Sequence, residues 1–78
     1  MIFNYSAHSI VRIRERGLSQ EIVEEVISNP DKLIQIEELT KAFKRIDNSV
    51  VVVIYKEINR IPFIISAYRS TDIKRYLK

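Results

Sequence analysis

The stretch Phe63 to Tyr76, FIISAYRSTDIKRY, brings Tyr68, Arg69, Lys74, Arg75 and Tyr76 close together in the chain. His8 is the only histidine, and it shares a spacing of i, i+4, i+8 with Arg12 and Arg16. Such residues suit chemistry on a polyanion. Cleavage of RNA by its own 2′-hydroxyl needs a base for the hydroxyl proton, cations for the phosphorus centre as it gains negative charge, and an acid for the leaving oxygen. Arg, Lys, His and Tyr can fill these roles without a metal, and Tyr can also stack on a splayed base. The candidate catalytic residues are therefore His8, Lys56, Arg69 and Tyr76, and the candidate RNA-binding residues are Arg12, Arg16, Tyr68, Lys74 and Arg75. Each has a plainer alternative. His8, Arg12 and Glu15 can form an ion-pair stripe, and Lys74, Arg75 and Lys78 can complement a helix C-terminus. Tyr76 can simply cover the sheet, and Lys56 can be a solvated strand-end lysine.

Other chemistries lack their residues. There are no cysteines, and a lone His8 is a weak ligand set, so no metal or cofactor is expected. Gly17 is the only glycine, which leaves no phosphate-cradling loop. No apolar run approaches the roughly 18 residues that cross a bilayer, and the N-terminus lacks the order of a signal peptide. A soluble, cytoplasmic protein is expected. Its 78 residues, 46% of them hydrophobic, fit one domain spanning 1–78, and a domain that small buries only roughly 60% of its unfolded surface. The net charge of +3 is modest but unevenly spread. Glu21, Glu24, Glu25 and Asp31 occupy a stretch with no basic residue, whereas basic residues crowd Arg12 to Arg16 and Arg69 to Lys78. An acidic side and a basic side are expected.

The elements that must carry these residues follow from period and punctuation. Ile2 to Tyr5 is a short edge strand or a lead-in. Ser6 caps a helix over Ala7 to Arg16, with Ile10, Val11 and Ile13 inward and Gly17 ending it in a left-handed conformation. Ser19 caps a second helix, Leu18 packs on Val23 as a staple, Ile22, Val23, Val26 and Ile27 form the apolar face, and Asn29-Pro30 stops it. From Leu33 the period becomes two. LIQIE and KAFKRID are strands, with Lys41 to Asp47 a candidate unpaired edge. Asn48-Ser49 is the expected hairpin connection. VVVVIYK and IPFIISAY follow, joined across Glu57 to Arg60, and both are apolar on alternating faces, as central strands are. A short helix, IKRYL, ends the chain. The expected fold is α+β: two N-terminal helices on a four-stranded, mainly antiparallel sheet, with a short C-terminal helix.

The opening YSAHSIVRIRERGLSQEIVEEVISNPD resembles a small-domain family of unknown function in which a His-x-x-x-Arg-x-x-x-Arg-Gly helix precedes a helix ending in Asn-Pro, here His8, Arg12, Arg16, Gly17, Asn29 and Pro30. The closing SAYRSTDIKRYLK is similar to the end of that family and of the BrnT toxins, within the RelE and ParE superfamily. The resemblance implies a RelE-like fold. In the toxin branch it implies a ribonuclease that acts on messenger RNA and that an antitoxin protein neutralises, which makes an antitoxin and messenger RNA or the ribosome the candidate partners. Lys56, Arg69, Arg75 and Tyr76 match the catalytic groups of that branch in type and approximate location. The alternative is a non-catalytic module of the same fold that binds a protein partner, nucleic acid or a second copy of the chain as a homodimer.

Overall fold

The computed structural model describes residues 2–77. In chain order the elements are β1 (Asn4–Tyr5), α1 (Ala7–Glu15), α2 (Gln20–Ser28), β2 (Lys32–Ile36), β3 (Leu39–Ile46), β4 (Ser49–Ile58), β5 (Ile61–Ser70) and α3 (Ile73–Tyr76). Among the described residues no helix is long and apolar enough to cross a membrane.

Local chemistry sets both helix ends. The Ser6 hydroxyl accepts from Ser9 N at 3.0 Å, and the Ser19 hydroxyl accepts from Ile22 N at 3.1 Å, so each satisfies an amide of a first turn that has no partner inside the helix. At the end of α1, Gly17 N donates to Arg14 O at 3.1 Å and Leu18 N donates to Ile13 O at 2.9 Å. With Gly17 at φ 68°, this is a Schellman motif. Leu18 and Ile13 are both buried in the same cluster, which is the apolar contact that the motif usually carries.

The inward face of α1 differs from the expected one. Ser9 and Ile13 are buried, while Ile10 and Val11 are 39% and 53% exposed. α1 lies along β5, and the small Ser9 lets it approach closely. Ser9 is fully buried without penalty because its hydroxyl donates to Ser6 O at 2.8 Å. The helix is therefore rotated about its axis from the position that maximal burial of its branched residues would choose. α2 is as expected: Val23 and Val26 are fully buried, and Ile22 and Ile27 pack beside them.

The sheet has five strands in the order β1-β5-β4-β3-β2. The four expected strands form the antiparallel meander, and β1 adds a parallel edge through Asn4 opposite Phe63 and Tyr5 opposite Ile64. The sheet is thus mixed, a consequence of the β1 segment returning beside β5. Two further expectations are corrected. Lys41 to Asp47 is not an unpaired edge throughout: Lys41 to Phe43 pair with β2 on one side and β4 on the other, whereas Lys44 to Ile46 pair with β4 alone. The β3–β4 connection is Asp47-Asn48, closed by Ile46 opposite Ser49, with the Ser49 hydroxyl donating to Ile46 O. Asp47 takes the left-handed conformation there, at φ 56°. The β4–β5 turn is Asn59-Arg60 alone, with φ of 54° and 66°, the signs that a type I′ hairpin demands.

β4 is central, and Val50 to Val53 are all fully buried. Alternate residues feed two cores. Val51, Val53 and Tyr55 join Ala42, Ile64 and Ala67 beneath α1 and α2, packing on Ile13, Leu18, Val23 and Val26. Val50 and Val52 join Phe43 on the other side, where Tyr68, Ile73, Tyr76 and Leu77 cover them. The acidic α2 and the aromatic α3 face thus lie on opposite sides of the sheet.

Two predictions follow from local conformation. A Cβ on Gly17 would meet no atom within 4 Å, so Gly17→Ala pays only for its left-handed backbone; urea unfolding is expected to reveal a loss of about 1 kcal/mol. Tyr5 donates to Glu24 Oε2 at 2.5 Å, and burial, then that bond and the carboxylate charge, raise its pKa strongly. A folded pKa above the unfolded value of about 10 means that Tyr5 supports stability fully below that pH, and that the support is lost as pH rises further. Chemical denaturation from pH 9 to 12 is expected to fall less steeply for Tyr5→Phe than for the natural chain.

Candidate nucleic-acid interface

Strand alternation decides which candidate residues can meet. Tyr68 lies opposite Val52 and Arg69 opposite Val51, so the two side chains leave β5 on opposite faces. Tyr68 joins the aromatic side. Its ring centroid is 6.2 Å from that of Tyr76, nearly edge-on, and Tyr76 is 6.0 Å from Phe43. These are favourable aromatic separations. Lys32 Nζ stands 5.6 Å from the Phe43 ring centre, and the Arg75 guanidinium stands 5.5 Å from that of Tyr76, both within cation–π range.

Together they line a cavity of about 220 Å³. Lys32, Lys41 and Arg75 supply charge, Phe43, Tyr68 and Tyr76 supply rings, and Ile34 and Ile36 form an apolar margin. No acidic side chain among the described residues lines it. α3 is held over the sheet by its rings, by Lys32 Nζ donating to Tyr76 O at 3.4 Å, and by the Asp72 carboxylate accepting from Arg75 N at its start. Burial, and then the neighbouring Tyr76, raise the pKa of Tyr68 against the opposing charges of Arg75 and Arg16. Tyr68 therefore remains a protonated phenol at neutral pH, a donor to a phosphate oxygen and not a base. The chemistry available is cation binding of an anion, hydrogen bonding from a phenol, and stacking on a planar group.

The four candidate catalytic residues do not converge. Lys56 lies opposite Phe63, on the face opposite to that of Arg69, and five residues along β4 from Val51. That separates Lys56 and Arg69 by about 17 Å along the sheet. Register thus keeps Lys56 and Arg69, both named among the candidate catalytic residues, from meeting at one phosphate. His8 is exposed on α1, where its Nε2 accepts from Arg12 Nε at 3.3 Å, and Arg12 pairs with Glu15 at 3.1 Å. This is the ion-pair stripe, and none of its members lines the cavity. Only Tyr76 of that set does, with Tyr68 and Arg75 from the binding set. Lys74 is on the outer side of α3 beside Asp72, and Lys78 lies outside the described residues. Arg16 and Arg69 meet instead in a separate hollow at the end of β5.

Lys32, Lys41 and Phe43 were not singled out from sequence. Their signal is the two-residue spacing of Lys32, Ile34 and Ile36 and of Lys41 and Phe43, which becomes a shared face once Lys32 is known to lie opposite Phe43.

Residues 5–69 match the family model described as Domain of unknown function (DUF4258). The chain belongs to that family. Comparison with curated proteins and with solved structures returns no match. The DUF4258 match runs from Tyr5, the last residue of β1, to Arg69, so it contains every strand residue of the cavity and stops before α3.

Two substitutions separate this cavity from the α1 stripe. His8→Ala is expected to change stability in thermal unfolding by less than about 0.5 kcal/mol, as an exposed pair should. Tyr76→Ala uncovers Phe43 and Val52, and thermal unfolding is expected to register a loss of about 1–2 kcal/mol.

Proposed function

We propose that this DUF4258 chain binds single-stranded RNA in the Lys32–Tyr68–Tyr76 cavity and acts on it as a toxin-like, metal-independent endoribonuclease of RelE-like fold. Messenger RNA in the cytoplasm is its substrate, and an antitoxin protein is its natural inhibitor. The observation that carries the reading is the convergence of three cations and two phenols on one cavity without an opposing carboxylate. A base stacks against the half-buried ring of Tyr76 while Lys32, Lys41 and Arg75 hold the adjoining phosphate. As the 2′-oxygen attacks, charge grows on that phosphate, and cations already in position stabilise it without reorganising. The P–O2′ bond forms as the P–O5′ bond breaks: the 2′-hydroxyl gives its proton to solvent water or hydroxide, and the Tyr68 phenol gives its own to the leaving 5′-oxygen and is reprotonated from water.

A second reading, a non-catalytic RNA-binding module, is favoured by one observation. The only histidine is engaged with Arg12 on α1, so among the described residues the cavity holds phenols, amines and a guanidinium but no imidazole or carboxylate to relay a proton near neutral pH.

The test is incubation of labelled single-stranded RNA in EDTA with the wild type and Arg75→Ala, with folding of both checked by circular dichroism and binding measured in parallel. Cleavage by the wild type that falls at least about tenfold in the variant is the expected result. Binding without cleavage, with or without ribosomes, selects the module. Absence of RNA binding by the wild type overturns both readings.

A further inference from the structure

We propose that Arg16 and Arg69 form a second phosphate site on the far side of Tyr68, so that a bound RNA strand crosses the end of β5 with a phosphate on either side of that tyrosine. This rests on the RNA reading of the cavity and extends it to a strand path.

The path begins with an unusual sheet edge. β1 is two residues long, so β5 runs on past Ile64 with no strand beside it. Ser6 N covers the Ile64 carbonyl at 3.1 Å, and the Arg16 guanidinium covers that of Ala67 at 2.7 Å. Arg16 therefore reaches from α1 to the outer edge of β5 at the residue next to Tyr68. One of its five N–H groups is used in this way, and the side chain is otherwise exposed.

Arg69 follows Tyr68 and shares the face of Ala67, two residues before it, which brings its exposed side chain to the same place. Arg16, Tyr68, Arg69, Ser70 and Thr71 line one open hollow. Among the described residues no carboxylate pairs with either arginine, and none lines the hollow. Ser70 Oγ accepts from Asp72 N at 3.1 Å, leaving its own hydrogen to donate. Two guanidinium groups and two hydroxyls without an acid partner suit a phosphate.

Among the described residues Tyr68 is the only one that lines both this hollow and the aromatic cavity. Its phenol responds to the charges of both Arg75 and Arg16, which places it between them electrostatically. A strand laid in the cavity would leave it past Tyr68, and on that side the next charges it meets are Arg16 and Arg69.

The experiment uses uncleavable 2′-O-methyl oligouridylates, a dinucleotide with one phosphodiester and a pentanucleotide, binding to the wild type, Arg69→Gln and Arg75→Gln across a salt series. Arg69 is the residue to change because Arg16 also supports the β5 edge. Arg75→Gln is expected to weaken both ligands. Arg69→Gln is expected to weaken the pentanucleotide about threefold or more, to lower its salt slope by about 0.7, and to affect the dinucleotide far less. If Arg69→Gln leaves the pentanucleotide unaltered while Arg75→Gln weakens both, the second site is overturned and the RNA reading stands. Equal weakening of both ligands by Arg69→Gln overturns the division into two sites. Failure of the wild type to bind either ligand overturns the RNA reading and this extension together.

Discussion

The pairing of β4 with β5 is the constraint from which the rest of the molecule follows. Its register sets Val52 under Tyr68 and Val51 under Arg69, and so decides which side of the sheet each functional residue serves. An irregularity between Ile54 and Tyr55, where Ser66 and Ile64 are the successive partners, leaves Ile65 as an extra residue in β5. Such a bulge lets both ends of the strand keep their apolar residues inward: Ile64 and Ala67 both reach the core under the helices. A slip of one residue would exchange the two faces, turning Tyr68 toward the helices and Arg69 toward the aromatic side. Four fully buried valines in succession hold the central strand against such a slip from both sides.

Local signals in the chain were enough to locate much of this framework. Ser6, Gly17, Ser19 and Asn29-Pro30 act within a turn of where they stand, so both N-terminal helices were legible to within a residue or two. The change to period two after Leu33 and the two-sided apolar character of the last long strands placed the meander and its centre. The α+β class followed from these. What could not be read was relational. Nothing within Ile2 to Tyr5 says that it will lie parallel to β5, and the rotation of α1 about Ser9 depends on how closely a helix can approach a strand far along the chain.

The site suffered most from that limit. Residue type identified Tyr68, Arg75 and Tyr76 correctly as neighbours, because they are close in sequence and on one face. Type alone also joined Lys56 to Arg69, which register separates, and passed over Lys32 and Lys41, which register brings in. The expected acidic and basic sides are only partly separated, because Arg12, Arg14 and Arg16 of the α1 segment lie on the same side of the sheet as α2. Glu21 and Glu25 are exposed on α2, across the sheet from Lys32, Lys41 and Arg75.

The two-residue pairing of β1 with β5 has a consequence in time. It joins Asn4 to Phe63 and Tyr5 to Ile64, nearly the whole described chain apart, while the hairpins of the meander need only two-residue loops. Closing a long loop costs more chain entropy than closing a short one, so contacts between neighbours in sequence form first. The meander can therefore assemble with its outer β5 edge bare, and β1 and Arg16 arrive afterwards to seal it. Until they do, β5 is an open template for any extended strand, and the order of folding, more than the final energy, governs how long that edge stays sticky.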